Sequence, residues 1–108
     1  MLNLLDKKAI NNISEKEFMK LITDYAREHN WKFHHCNDMS RCSGDLDGRY
    51  SGRGFADLVM ARNGEIIVAE LKSENGSISK AQMEWIREYP ATEIWRPSMA
   101  GYIMERLR

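Results

Sequence analysis

The sequence predicts an α/β domain, a mixed sheet of about four strands flanked by helices. Three observations carry this. Asn63-Gly64 divides the stretch FADLVMARNGEIIVAELKS, residues 55–73, into two runs of apolar and β-branched residues, the strongest short-range signal for a two-residue hairpin. Two segments, Glu15 to about His29 and Lys80 to about Tyr89, carry apolar residues at helical spacing. Two short apolar stretches, Trp31 to Cys36 and Glu93 to Arg96, supply further strands.

At 108 residues the chain is expected to form a single domain, long enough to bury one core without staples. Lys and Arg balance Asp and Glu to a formal net charge of zero, so any basic surface must be local. Cys36 and Cys42 are the only cysteines, too few for a disulfide framework. The opening Met1-Leu2-Asn3-Leu4-Leu5 is too short for a signal peptide, and no apolar run could span a bilayer, so a soluble, cytoplasmic protein without a membrane partner is expected.

Residues before Asn12 read as a short leader, for packing or for a dimer contact. From Glu15 onward, Phe18, Leu21, Ile22, Tyr25 and Ala26 form one helical face, with Ser14 as N-cap. Ser14 and Glu17 match a capping box, which accounts for Glu17. At about 100° per residue Glu15 falls beside the Phe18, Ile22 and Ala26 stripe, so Glu15 is favoured over Glu17 as the inward-looking acid; a solvated first-turn acid is the alternative. The segment from Asn37 to Gly54 is nearly devoid of apolar residues, and so long a loop suits function or mobility. Arg41, Arg49 and Arg53, with Tyr50, offer it phosphate-contacting and stacking groups.

If Arg62 and Glu65 flank the turn, Asp57 lies across from Glu70. Directly opposed strand residues have Cβ atoms roughly 4.5–5.5 Å apart, and like charges there need a compensator such as a divalent cation. Lys72 follows Glu70 by two residues and shares its face. The remaining residues of that strand, Ile66, Ile67, Val68, Ala69 and Leu71, are apolar on both faces, which predicts a central strand covered on both sides. A three-residue turn would shift the register and part the two acids. Beyond the hairpin, Ser79 and Gln82 match a second capping box, Gln82 heads a buried stripe with Trp85, Ile86 and Tyr89, and Pro90 stops the helix. A closing helix from Met99 to Leu107 sets Met99, Ile103, Met104 and Leu107 against the sheet.

An Asp on one strand and Glu-x-Lys on its hairpin partner, flanked by helices, resembles the PD-(D/E)xK nuclease pattern. The wider string is similar to the VRR-Nuc (virus-type replication-repair nuclease) branch, from Ser14 to Arg108. The matching pieces are Ser14-Glu15, Trp31 with His35, Gly54-Phe55-Ala56-Asp57-Leu58, Glu70-Leu71-Lys72, Ser79 with Gln82, and Trp95-Arg96-Pro97-Ser98. Ala56 stands where the family often has Pro, Met19 where it often has Gln, and Asn30 where it often has Gly.

The resemblance implies a restriction-endonuclease-like fold and a divalent-metal phosphodiesterase acting on DNA. It assigns Mg²⁺ or Mn²⁺ to Asp57 and Glu70 with the Leu71 carbonyl, hard oxygen donors for a hard ion. Lys72 would orient the attacking water or neutralise the phosphate, Gln82 would align that water or Lys72, and Glu15 would bind a second ion or an outer-shell water. His35 would contact the site or the DNA, alongside Arg41, Arg49 and Arg53. With no visible base-reading element, DNA structure rather than sequence is the expected target, a four-way (Holliday) junction foremost, in a bacterial or phage-infected cytosol. Paired cuts across a junction call for a homodimer. A flap or single-strand nuclease of the same family and a non-catalytic nucleic-acid-binding module remain alternatives. So does a zinc site of His34 or His35 with Cys36 and Cys42, whose spacing fits no common zinc signature.

Overall fold

The computed structural model describes residues 12–35 and 54–108. Helix α1 (Glu15–Glu28) starts at Ser14, whose side chain accepts from the Glu17 N–H at 3.1 Å. The Ser14 hydroxyl in turn donates to the Glu17 carboxylate at 3.1 Å, so the expected capping box closes only by half: Glu17 is held on the hydroxyl rather than on the Ser14 backbone. The helix ends in a Schellman turn, with Asn30 N–H donating to Arg27 O and Trp31 N–H to Ala26 O. Asn30 sits there at φ 67°, a left-handed conformation that Asn tolerates, so Gly is dispensable at this position.

Trp31 leads into β1 (Lys32–His35), which pairs antiparallel with β2 (Leu58–Arg62). Asn63 and Gly64, at φ 51° and 84°, turn the chain into β3 (Glu65–Leu71). Arg62 opposes Glu65 and Leu58 opposes Ala69, the register expected for a two-residue turn. Helix α2 (Lys80–Glu88) then crosses to β4 (Glu93–Trp95), which lies parallel to β3 and completes a mixed sheet in the order β1-β2-β3-β4. The closing helix lies as expected: a 3₁₀ turn at Pro97–Met99, whose first position Pro97 suits because it needs no N–H, leads into α3 (Ala100–Leu107).

The core occupies one face of the sheet. Leu58, Met60, Ile67, Ala69 and Leu71 meet Phe18, Ile22 and Ala26 of α1 and Ile103 and Leu107 of α3, with Trp31 and Trp95 closing the ends. Arg62 fastens the chain's end to this core. Its guanidinium lies 4.3 Å over the Trp31 ring and donates to the carbonyls of His29 (2.9 Å), Leu107 (3.1 Å) and Arg108 (3.1 Å).

The opposite face departs from expectation. Ile66 is 55 % exposed and Val68 half-buried, so β3 is not covered on both sides by the described residues. Helix α2 buries none of its residues: Gln82, Trp85 and Ile86 are half-buried and Tyr89 is exposed, so Gln82 does not head a buried stripe. The reason is a stand-off between α2 and the sheet, an apolar cleft of about 350 Å³ lined by Phe55, Ile66, Val68, Trp85, Ile86 and Tyr89. Among the described residues no helix is long and apolar enough to cross a membrane. The leader, Cys36, Cys42, Tyr50 and the arginines Arg41, Arg49 and Arg53 lie outside the described residues.

Candidate active site

The ends of β2 and β3 build the site. The β2–β3 ladder closes at Leu58 opposite Ala69, so Asp57 lies one residue beyond the last rung, in a bend, and Glu70 is the next-to-last residue of β3. One Asp57 carboxylate oxygen accepts the Leu71 N–H at 3.0 Å, a bond that holds the acid against the far strand where the ladder has run out. Glu70 is 2 % exposed. Burial, then the hydrogen bond and the charge of Asp57, push its carboxyl up to about 9, while Lys72 pulls the other way and Glu15 adds a smaller upward push. The direction of that shift favours the neutral, protonated form of Glu70 beside Asp57.

Gln82 reaches the same carboxyl from α2. Its amide nitrogen donates to Glu70 Oε1 at 2.8 Å, and its amide oxygen accepts the Ser79 N–H at 2.8 Å. The Ser79 hydroxyl accepts the Gln82 N–H at 3.1 Å, so this capping box is complete. Sequence reasoning places Gln82 on a water or on Lys72; the geometry places it on Glu70. The capping box itself was the signal, because a glutamine whose oxygen is committed to the N-cap can turn only its NH₂ outward.

Lys72 follows the end of β3. Its backbone N–H donates to Trp95 O at 3.0 Å, which prolongs the parallel pairing by one rung and fixes the root of the side chain. The next two residues are clamped from the segment just beyond β4: Arg96 donates to the carbonyls of Ser73 (2.8 Å) and Glu74 (3.2 Å), and the Ser98 N–H donates to the Glu74 carboxylate at 2.9 Å. Those bonds from Ser98 hold the Glu74 carboxyl below the usual range. This Arg96 clamp escaped the sequence reading, since no local pattern links positions more than twenty residues apart.

A polar cleft of about 680 Å³ opens on the other side of Asp57, where Glu15, Lys16, Lys20, Thr23, Arg27 and His35 line it. Glu15 and His35 thus share this cleft with Asp57, while Glu17 stays on Ser14. Among the described residues no three His, Cys, Asp or Glu side chains converge as a ready cage for a metal. The donors that do meet are two carboxyls and a strand backbone. They suit a hard divalent ion that keeps most of its waters, because two acids in contact hold one charge too many unless a proton or a cation neutralises it. Of the zinc alternative, His34 is exposed on β1 and both cysteines lie outside the described residues. No protein-family model, curated protein or solved structure matches this chain.

Proposed function

We propose that this chain is a divalent-metal-dependent, structure-selective endodeoxyribonuclease with a restriction-endonuclease-like fold, working as a homodimer on four-way junction DNA. The observation that carries the reading is the buried acid pair. Glu70 is 2 % exposed on a strand whose neighbours are apolar, and its carboxyl lies against Asp57. An apolar residue there would cost nothing in desolvation, so a shifted acid beside a second acid, a lysine and a cleft supports a chemical role over a packing one.

Asp57 and Glu70 would hold Mg²⁺ or Mn²⁺, with the Leu71 carbonyl as a third donor. When bound, such an ion neutralises the pair, lowers the pKa of a coordinated water and polarises a phosphate oxygen. The remaining work belongs to the side chains. The Leu71 N–H holds one oxygen of the Asp57 carboxylate in place beside Glu70. Lys72, whose charge reaches Glu70, supplies a fixed cation where negative charge builds on the phosphate. Glu15 and His35, lining the polar cleft, would meet an outer-shell water and the nucleic-acid backbone. Arg41, Arg49 and Arg53 are proposed as further phosphate contacts.

The test is cleavage of labelled four-way junction, flap and linear duplex DNA in Mg²⁺, Mn²⁺ or EDTA, with Lys72→Ala alongside wild type. Symmetric, metal-dependent nicking of the junction, lost in Lys72→Ala while DNA binding persists, is the expected result. Equal cutting of every substrate would keep the nuclease and discard the junction preference. Binding without cutting in any metal would replace the reading with a non-catalytic nucleic-acid module, and a monomer that resolves junctions symmetrically would remove the dimer.

A further inference from the structure

Helix α2 reaches the body of the protein with no buried residue of its own. Its contacts with the other described residues include three on its inner side. The Phe55 and Trp85 rings meet edge to face at 4.8 Å. Gly54 lies so close beneath the first turn that a Cβ on it would come within 2.4 Å of the Ala81 carbonyl carbon. Gln82 donates to Glu70. Of these three, the Gln82 bond is the one that joins the helix directly to the acid pair.

We propose that Gln82, oriented by the α2 cap, is the positioning residue of Glu70, and that Gly54 sets the distance across which it acts. The amide cannot rotate without losing a bond: its oxygen is taken by the Ser79 N–H, so its NH₂ must face Glu70. That bond engages Oε1 of the same carboxyl group that hydrogen-bonds with Asp57. Docking of α2 and the placement of Glu70 are therefore a single equilibrium, in which loosening either loosens the other. Gly54, at φ 83°, is in a conformation that favours glycine, and the missing Cβ is what lets the helix approach to hydrogen-bonding range.

The inference deepens the proposed nuclease where metal is concerned, but its first test is independent of that reading. Amide hydrogen exchange of residues 83–88 would be measured on the metal-free, full-length protein, for wild type, Gln82→Met, Glu70→Met, Glu70→Gln and Gly54→Ala. Loss of one hydrogen bond to a buried group corresponds to about a tenfold rise in local opening. Gln82→Met, Glu70→Met and Gly54→Ala should each show that rise in α2 relative to β2 and β3, and Glu70→Gln, which keeps the accepting oxygen, should not. A residue that merely caps the helix would respond to Gln82→Met alone, so unchanged α2 exchange in Glu70→Met overturns the proposal. The second test is Mn²⁺ titration by calorimetry without DNA, where Gln82→Met should weaken binding by about tenfold or more. Equal affinities in wild type and Gln82→Met would also overturn it. A wild type that binds no Mn²⁺ would sink the metal reading and leave the exchange data to decide the clamp.

Discussion

Replacing Glu70 by Gln should make the metal-free protein more stable at neutral and alkaline pH, with a gain that grows as pH rises. Glu70 has an ordinary carboxyl value of 4.5 when unfolded and about 9 when folded, raised first by burial and then by Asp57. Between those values the folded state holds a proton that the unfolded state has released. The stabilising contribution is thus complete below pH 4.5 and is lost as pH climbs through 9. Each pH unit in this window costs wild type about 1.4 kcal/mol, so at pH 7.5 the accumulated loss is about 4 kcal/mol, an upper bound if the site relaxes on ionisation. The amide introduced by Glu70→Gln keeps an oxygen for the Gln82 NH₂, offers an NH₂ of its own to Asp57 and never ionises. Urea unfolding from pH 5 to pH 9 in EDTA would read the difference directly. Stability curves for the two proteins that stay parallel across this range would refute the buried, proton-sharing pair. In Mn²⁺ the wild type should recover stability at high pH, since ion and proton compete for the same oxygens, while Glu70→Gln should gain much less.

Two further substitutions test the scaffold that holds the site. Arg62→Ala removes three bonds to carbonyls and the stacking on Trp31, and should cost about 2–3 kcal/mol in urea unfolding with early loss of protection at the C-terminal residues; an unchanged midpoint would contradict that anchoring role. Gly64→Ala meets no atom within 4 Å, so only its φ of 84° is strained, and the cost should be about 1–2 kcal/mol with the hairpin register intact. A stabilised Gly64→Ala would mean that the turn is not the one described.

What the sequence determined by itself is local. Asn63-Gly64 specifies a two-residue turn because both residues tolerate positive φ, and that turn alone sets the β2–β3 register out to Leu58 and Ala69. Ser14 and Ser79 mark the starts of α1 and α2 because a hydroxyl at that position satisfies an N–H left open by the helix. Periodicity alone turns Phe18, Ile22 and Ala26 to the core. Asp57, Glu70 and Lys72 could be brought together on paper for the same reason, since a hairpin converts sequence distance into spatial distance by a fixed rule.

Tertiary structure decided the rest, where the outcome depends on how far apart two elements come to lie. Apolar residues on both faces of β3 do not say that α2 will stand off from the sheet and leave Ile66 exposed. A serine and a glutamine three apart do not say which carboxyl the glutamine's NH₂ will meet; that is decided where the first turn of α2 closes over Gly54 while the rest of the helix stands off. Nor does an acid on a strand reveal its charge. The upward shift of the Glu70 carboxyl arises from its burial on the α2 side of the sheet and from the neighbouring Asp57, and both causes exist only once the chain has closed around them.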